Sequence, residues 1–140
     1  MTGPGVPVLD DRGLPPGYAF KPEYELTPRD VHARMTAHPE KVLLIDCRTQ
    51  PEWDLVHIAG SEHIPLDEIE QRADEVSPAP GQTVALICHH GVRSMRAALA
   101  LRALGVRGAM SVAGGIELWS LAADPSVRRY ERQGGRCRPI

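Results

Sequence analysis

The sequence predicts an α/β domain with a central parallel sheet of about five strands and helices on both faces. Three observations lead there. Val42-Leu43-Leu44-Ile45 and Val84-Ala85-Leu86-Ile87 are unbroken apolar runs, as expected of strands buried on both faces. Helical patterns alternate with such runs along the chain, which calls for parallel strands joined by right-handed crossovers. The 140 residues, 42% hydrophobic and 24% charged, suit one domain with a packed core. Aromatics are only 4%, so that core is aliphatic.

Residues 1–24 hold Pro4, Pro7, Pro15, Pro16 and Pro22 among Gly3, Gly5, Gly13 and Gly17, so this extension is read as irregular. Tyr18, Phe20 and Tyr24 offer anchors by which it could lie against the domain; disorder is the other reading. The domain itself is expected over residues 25–123. Thr27-Pro28-Arg29-Asp30 opens a helix, with Thr27 as N-cap and Pro28 in the first turn, and His38-Pro39 closes it. Val42 to Ile45 follows as a strand, then a helical turn from Pro51 to Val56. Leu66 to Val76 reads as an acidic amphipathic helix closed by Ser77-Pro78-Ala79-Pro80. Val84 to Ile87 is the second buried strand, and Ser94 to Leu104 a helix stopped by Gly105. Ala109 to Val112 is a third strand, and Gly114-Gly115 turns into a helix from Ile116 to Ala122. Residues 124–140 form an Arg- and Gly-rich tail expected to be loose at its end.

A net charge of -2 gives no electrostatic footprint for nucleic acid or an anionic membrane. No apolar run approaches the roughly 20 residues of a membrane span, and Met1 to Phe20 does not read as a secretory signal. Cys47, Cys88 and Cys137 show no metal-ligand spacing and cannot all pair within one chain, so a reducing cytoplasm with free thiols is expected.

Ligands of open α/β sheets bind at the carboxyl ends of strands. The strand Val84 to Ile87 runs directly into Cys88-His89-His90-Gly91-Val92-Arg93-Ser94 and then into a helix. Loop amides there can converge above the sulfur, the helix dipole adds positive potential and Arg93 adds a fixed charge. All three favour thiolate over thiol. Gly91 supplies the torsions such a tight loop needs.

This loop resembles the active-site loop of the rhodanese (sulfurtransferase) family, and further blocks match in family order from Leu26 to Leu121. Leu43 to Arg48 resembles its strand ending in Asp-x-Arg. Pro51 to Ser61 resembles its Glu-aromatic segment leading to His-Ile-x-Gly, and His63-Ile64-Pro65 its Asn-Ile-Pro continuation. Val112-Ala113-Gly114-Gly115-Ile116-Glu117-Leu118-Trp119 resembles the closing Gly-Gly-x-x-x-Trp block. Val56 stands where Gly is usual, Glu62-His63 replaces Ala-Asn, and Cys47 replaces Val. None of these departures touches the loop.

The resemblance implies a rhodanese-like fold and a thiosulfate sulfurtransferase-like enzyme without metal or organic cofactor. Cys88 would take sulfane sulfur from thiosulfate or a similar donor, hold it as a persulfide, and pass it to cyanide, a thiol or a protein. The backbone of His89, His90, Gly91, Val92, Arg93 and Ser94 would bind the anionic sulfur, by the logic of an oxyanion hole. Arg93 and Arg48 would draw in the donor, and Asp46 would support the site through a structural hydrogen bond or a pair with Arg48. The alternative is a persulfide carrier that delivers sulfur to a protein partner. A phosphatase or arsenate reductase of related fold is disfavoured: Cys88 and Arg93 are separated by the four-residue spacing of the sulfur-sized loop, with no acid in it. A monomer or weak dimer is expected.

Each residue also has a plain structural reading. His89 and His90 are expected to serve through their backbones, with rings in solvent. Ser94 reads as the start of the helix, Cys47 as a core residue rather than a resolving thiol, Cys137 as an incidental exposed thiol, and His57 as a structural hydrogen-bonder. Arg128 and Arg129 read as solvated surface.

Overall fold

The structure, a computed structural model, describes residues 8–140. Gly3, Pro4, Gly5 and Pro7 of the extension lie outside the described residues. A two-residue strand β1 (Glu25–Leu26) leads into α1 (Pro28–Ala37), whose Thr27 Oγ1 accepts the Asp30 N–H at 3.2 Å. The helix stops at His38, because Pro39 bars the next residue from the ladder. Then come β2 (Val42–Asp46), α2 (Gln50–Leu55), β3 (Glu62–His63), β4 (Thr83–Ile87), α3 (Val92–Ala103), β5 (Met110–Val112) and α4 (Gly115–Ala122). A hairpin of β6 (Tyr130–Gln133) and β7 (Arg136–Pro139) follows.

The five-stranded sheet has the order β1-β5-β4-β2-β3, with every pairing parallel. Its two apolar runs lie side by side at the centre, in register from Val42↔Thr83 to Asp46↔Ile87. Because side chains alternate across a strand, each run feeds both faces. Ile45, Val84 and Leu86 pack with Ala97, Ala98 and Leu101 of α3, while Leu44, Ala85 and Ile87 pack with Val31 of α1 and Ile116 and Trp119 of α4. The same alternation sends Cys88 to the α3 side. No helix among the described residues is long and apolar enough to cross a membrane.

Three segments differ from expectation or resolve an open reading. Leu66 to Val76 is not a helix but two separate 3₁₀ turns, Leu66–Glu68 and Ala73–Glu75. Pro65 offers no capping side chain, and Glu70 and Asp74 would repel at helical spacing. The buried anchors Ile69 and Val76 hold the segment against α3 without a continuous ladder. Of the two readings of the extension, residues 9–20 lie against the domain: Leu14 is fully buried with Ala113 and Leu118, and Tyr18 and Phe20 pack around them. The C-terminal tail is not loose. Gly134 and Gly135, both at positive φ (55° and 81°), make the tight turn that closes the β6–β7 hairpin, and Tyr130 is buried. Alternating arginines hid these strands, since their one buried face rests on a few side chains.

Candidate active site

Cys88 follows β4 directly and is 1% exposed. Its Sγ accepts the Gly91 N–H at 3.0 Å, and the Ser94 Oγ lies 3.3 Å away. Ser94 is in turn 2.8 Å from the Ser111 Oγ on β5. The first residue of the twelve-residue α3 is Val92, so the positive end of that helix lies beside the sulfur.

The loop carbonyls are occupied elsewhere. The Ile116 and Glu117 N–H groups at the start of α4 donate to the Cys88 and His89 carbonyls at 2.8 and 3.2 Å. This close approach explains the glycines. A Cβ on Gly115 would lie 2.4 Å from the His89 carbonyl oxygen and 2.5 Å from that of Cys88. Gly91 has φ +98°, a left-handed torsion that brings its N–H back onto the sulfur.

Arg93 does not stand free. Its two terminal nitrogens donate to Glu52 Oε1 and Oε2 at 2.7 and 3.0 Å, in a bidentate pair. Glu52 is 1% exposed. It also accepts from the Tyr130 hydroxyl, from Thr49 Oγ1 at 2.9 Å, and from the Thr49 N–H at 3.3 Å in the capping box that starts α2. Burial pushes its carboxyl pKa up, but donation from Arg93, Tyr130 and Thr49 outweighs this and holds it well below the usual range. The pair with Glu52 raises Arg93 further.

Arg48 differs from expectation. Its side chain is fully buried, with Nε and Nη2 on the Asp46 carboxylate at 2.6 to 3.0 Å and Nη2 on the Val56 carbonyl at 2.7 Å. An arginine consumed in this way does not draw an anion from solvent. The Asp46–Arg48 pair instead ties the end of β2 to α2. The His89 ring also departs from its expected place. It is buried, donates from Nε2 to the Tyr130 carbonyl at 3.2 Å, and stacks on the Tyr130 ring at 4.1 Å. Desolvation, reinforced by the neighbouring His90, lowers its pKa to about 4. The His90 ring is exposed and lies 3.9 Å from that of His89. Val92 is 71% exposed.

Cys47 is a core thiol whose Sγ lies 3.4 Å from the Ile87 carbonyl, and burial raises its pKa. Cys137 is half-buried on β7 rather than on a free tail. His57 Nδ1 lies 2.8 Å from the Trp53 carbonyl, with the two rings stacked. Beside the loop is a cleft of about 810 Å³ whose walls include Thr49, Gln50, Leu66, Arg93, Arg96 and Arg132. Cys88 does not line it; Arg93, five residues further along the chain, does.

Sequence reasoning did not find the parts played by Glu52, Tyr130 and Arg132. Glu52 stood inside a matched block but had no assigned partner. Tyr130 and Arg132 lie in the tail, where nothing local signals contact with a loop some forty residues earlier.

Comparison with known proteins gives the geometry a family context. The Rhodanese-like domain family matches residues 27–122. The chain is 33% identical over 105 residues to the probable adenylyltransferase/sulfurtransferase MoeZ of Mycobacterium tuberculosis, covering 75% of this chain and 26% of that protein. It is 35% identical over 81 residues to the putative sulfur carrier protein YrkF of Bacillus subtilis, covering 58% and 43%. The chain thus spans less than half the length of these curated relatives. Among solved structures, the human single-domain sulfurtransferase TSTD1 superposes with a TM-score of 0.57 at 25% identity, covering 71% of this chain and 96% of that one. The matched blocks, the parallel sheet and the cysteine loop agree, and the chain belongs to the rhodanese-like domain family.

Proposed function

We propose that this chain is a sulfurtransferase that carries sulfane sulfur on Cys88. The observation that carries the reading is the convergence of the Gly91 N–H and the Ser94 hydroxyl on Sγ, next to the N-terminus of α3. The Gly91 N–H is a fixed donor that favours a negatively charged sulfur, and the Ser94 hydroxyl, which accepts from the thiol, turns to donate once the thiol loses its proton. The relatives named for sulfur transfer and sulfur carriage support the same reading.

In the proposed reaction the Cys88 thiolate attacks the outer sulfur of thiosulfate or a donor of like chemistry. The S–S bond of the donor breaks and sulfite leaves with the bonding pair. Cys88 then bears a persulfide, whose terminal sulfur carries the negative charge into the loop. A nucleophilic acceptor (cyanide, a thiol, or a protein thiol) attacks that terminal sulfur and regenerates the Cys88 thiolate. The backbone of residues 89–94 binds the persulfide. Arg93, held by Glu52, fixes the shape of the loop.

Incubation with thiosulfate followed by intact-mass measurement tests the proposal. The wild type is expected to gain one sulfur atom, released by cyanide, and Cys88→Ser to gain none. An adduct that survives in Cys88→Ser, or no adduct with thiosulfate or a persulfidated thiol, overturns it.

The carrier reading has one observation in its favour: Cys88 is almost wholly buried, which suits a sulfur handed over in a docked complex. Turnover separates the two. An enzyme cycles thiosulfate to cyanide many times, whereas a carrier loads once and discharges slowly to small acceptors.

A further inference from the structure

The C-terminal hairpin lies outside the part of the chain that matches the family, residues 27–122, yet its first residue reaches the centre of the site. Tyr130 is 2% exposed and makes contacts of two kinds. Its hydroxyl donates to Glu52 Oε2, the oxygen that also takes Arg93 Nη2, and accepts from Arg48 Nη1 at 3.2 Å. Its ring stacks on His89 at 4.1 Å, and its carbonyl accepts the His89 Nε2–H at 3.2 Å. His89 is the residue after Cys88, and Arg93 is the residue before Ser94. One side chain on β6 therefore grips the cysteine loop near both of its ends.

We infer that the hairpin is a clasp on the Cys88 loop, and that Tyr130 is a positioning residue acting through Glu52–Arg93 and through His89. The inference rests on the proposed role of Cys88 only for its kinetic consequence; the clasp itself is a statement about the loop. Without the hydroxyl, Glu52 loses one of its short donors and Arg48 Nη1 loses an acceptor, while the ring stack on His89 survives. The Arg93 end of the loop then relaxes, and the Gly91 N–H and Ser94 hydroxyl are no longer held on Sγ together. Arg132 follows the same geometry: side chains alternate along β6, so it faces the domain with Tyr130, and its Nε lies 3.7 Å from Glu52 Oε1.

Two measurements on the whole 140-residue chain test this. The first is amide hydrogen exchange of wild type and Tyr130→Phe. Faster exchange is expected over residues 89–94 and the hairpin, with β2 and β4 unchanged. The second is single-turnover sulfur loading from thiosulfate. Tyr130→Phe is expected to lose roughly tenfold in the limiting rate, with the half-saturating concentration within about twofold of wild type. Added to Glu52→Gln, the same substitution is expected to cost nothing further, because both act on one unit. Exchange that rises evenly through the sheet, or a variant that loads as fast as wild type, overturns the clasp. So does a loss that simply adds to that of Glu52→Gln. If the wild type takes up no sulfur, the proposed function falls, and the exchange pattern alone decides whether the hairpin holds the loop.

Discussion

His89 carries a pH-dependent cost that follows from its position against Tyr130. Burial, then the neighbouring His90, lowers the imidazole from 6.5 to about 4, so the folded protein keeps it neutral where the unfolded chain protonates it. The unfolded state binds more protons between those values, so stability falls as pH drops from about 6.5 toward 4, by on the order of 2 kcal/mol. Glu52 acts in a lower window. Its folded pKa is depressed, so its contribution is intact above its ordinary value of 4.5 and is lost as pH falls below it. Melting temperatures measured from neutral pH downward are expected to show the first decline in the wild type but not in His89→Phe. The ring stack is kept in that variant, and the decline below 4.5 should persist in both. A His89→Phe profile that matches the wild type would refute this account. At this scale the sequence was legible where the site is contiguous: Cys88 to Ser94 could be read as a loop because strand, glycine, arginine and helix follow one another. It was not legible where a side chain is claimed by a distant partner. Nothing local distinguishes Arg48, spent on Asp46, the α2 end and Tyr130, from an arginine that waits for an anion.

The turn into α4 is the element on which the loop rests. Gly114 and Gly115 have φ of +69° and +64°, and the amides just after them hold the Cys88 and His89 carbonyls. Gly115→Ala is expected to cost about 3 kcal/mol or more, because a Cβ there meets two backbone oxygens and also strains the torsion. Sulfur loading of whatever remains folded should fall as well. Gly105→Ala is the matching control. It too sits at positive φ, but nothing lies within 4 Å of its Cβ, so a cost of about 1 kcal/mol and ordinary loading are expected. Chemical denaturation of the two variants checks the difference, and equal costs would contradict it. Periodicity identified α1, α3 and α4 because each has a cap or a glycine stop as well as a buried stripe. It failed over Leu66 to Val76, where apolar spacing suggested a helix but capping and charge did not support one.

For the molecule as a whole, the rhodanese-like core accounts for the sheet, and two flanking segments complete the packing. Residues 9–20 close one side: Leu14 is fully buried beside Ala113 and Leu118, and the Tyr18 hydroxyl donates to Glu25 at 2.6 Å and accepts the Gly114 N–H at 3.2 Å. Leu14→Ala is therefore expected to lower stability by about 3 kcal/mol, as for any buried leucine replaced by a cavity. A cost below about 1 kcal/mol would show that the segment is not part of the cooperative unit. Neither flank has the periodic pattern that marks an element, because each contributes a few anchors rather than a face. Composition therefore described them as irregular even though their side chains are packed.

Tyr130 meets His89 across 41 residues of chain. A contact of such long span forms only after the intervening β5 and α4 have been laid down, since closing that loop earlier costs entropy with little to offset it. Cys88 is thus made first and its loop fastened last. During synthesis Cys88 leaves the ribosome ahead of the segment that secures its loop, so a chain stalled or clipped before Tyr130 is expected to hold that loop less tightly.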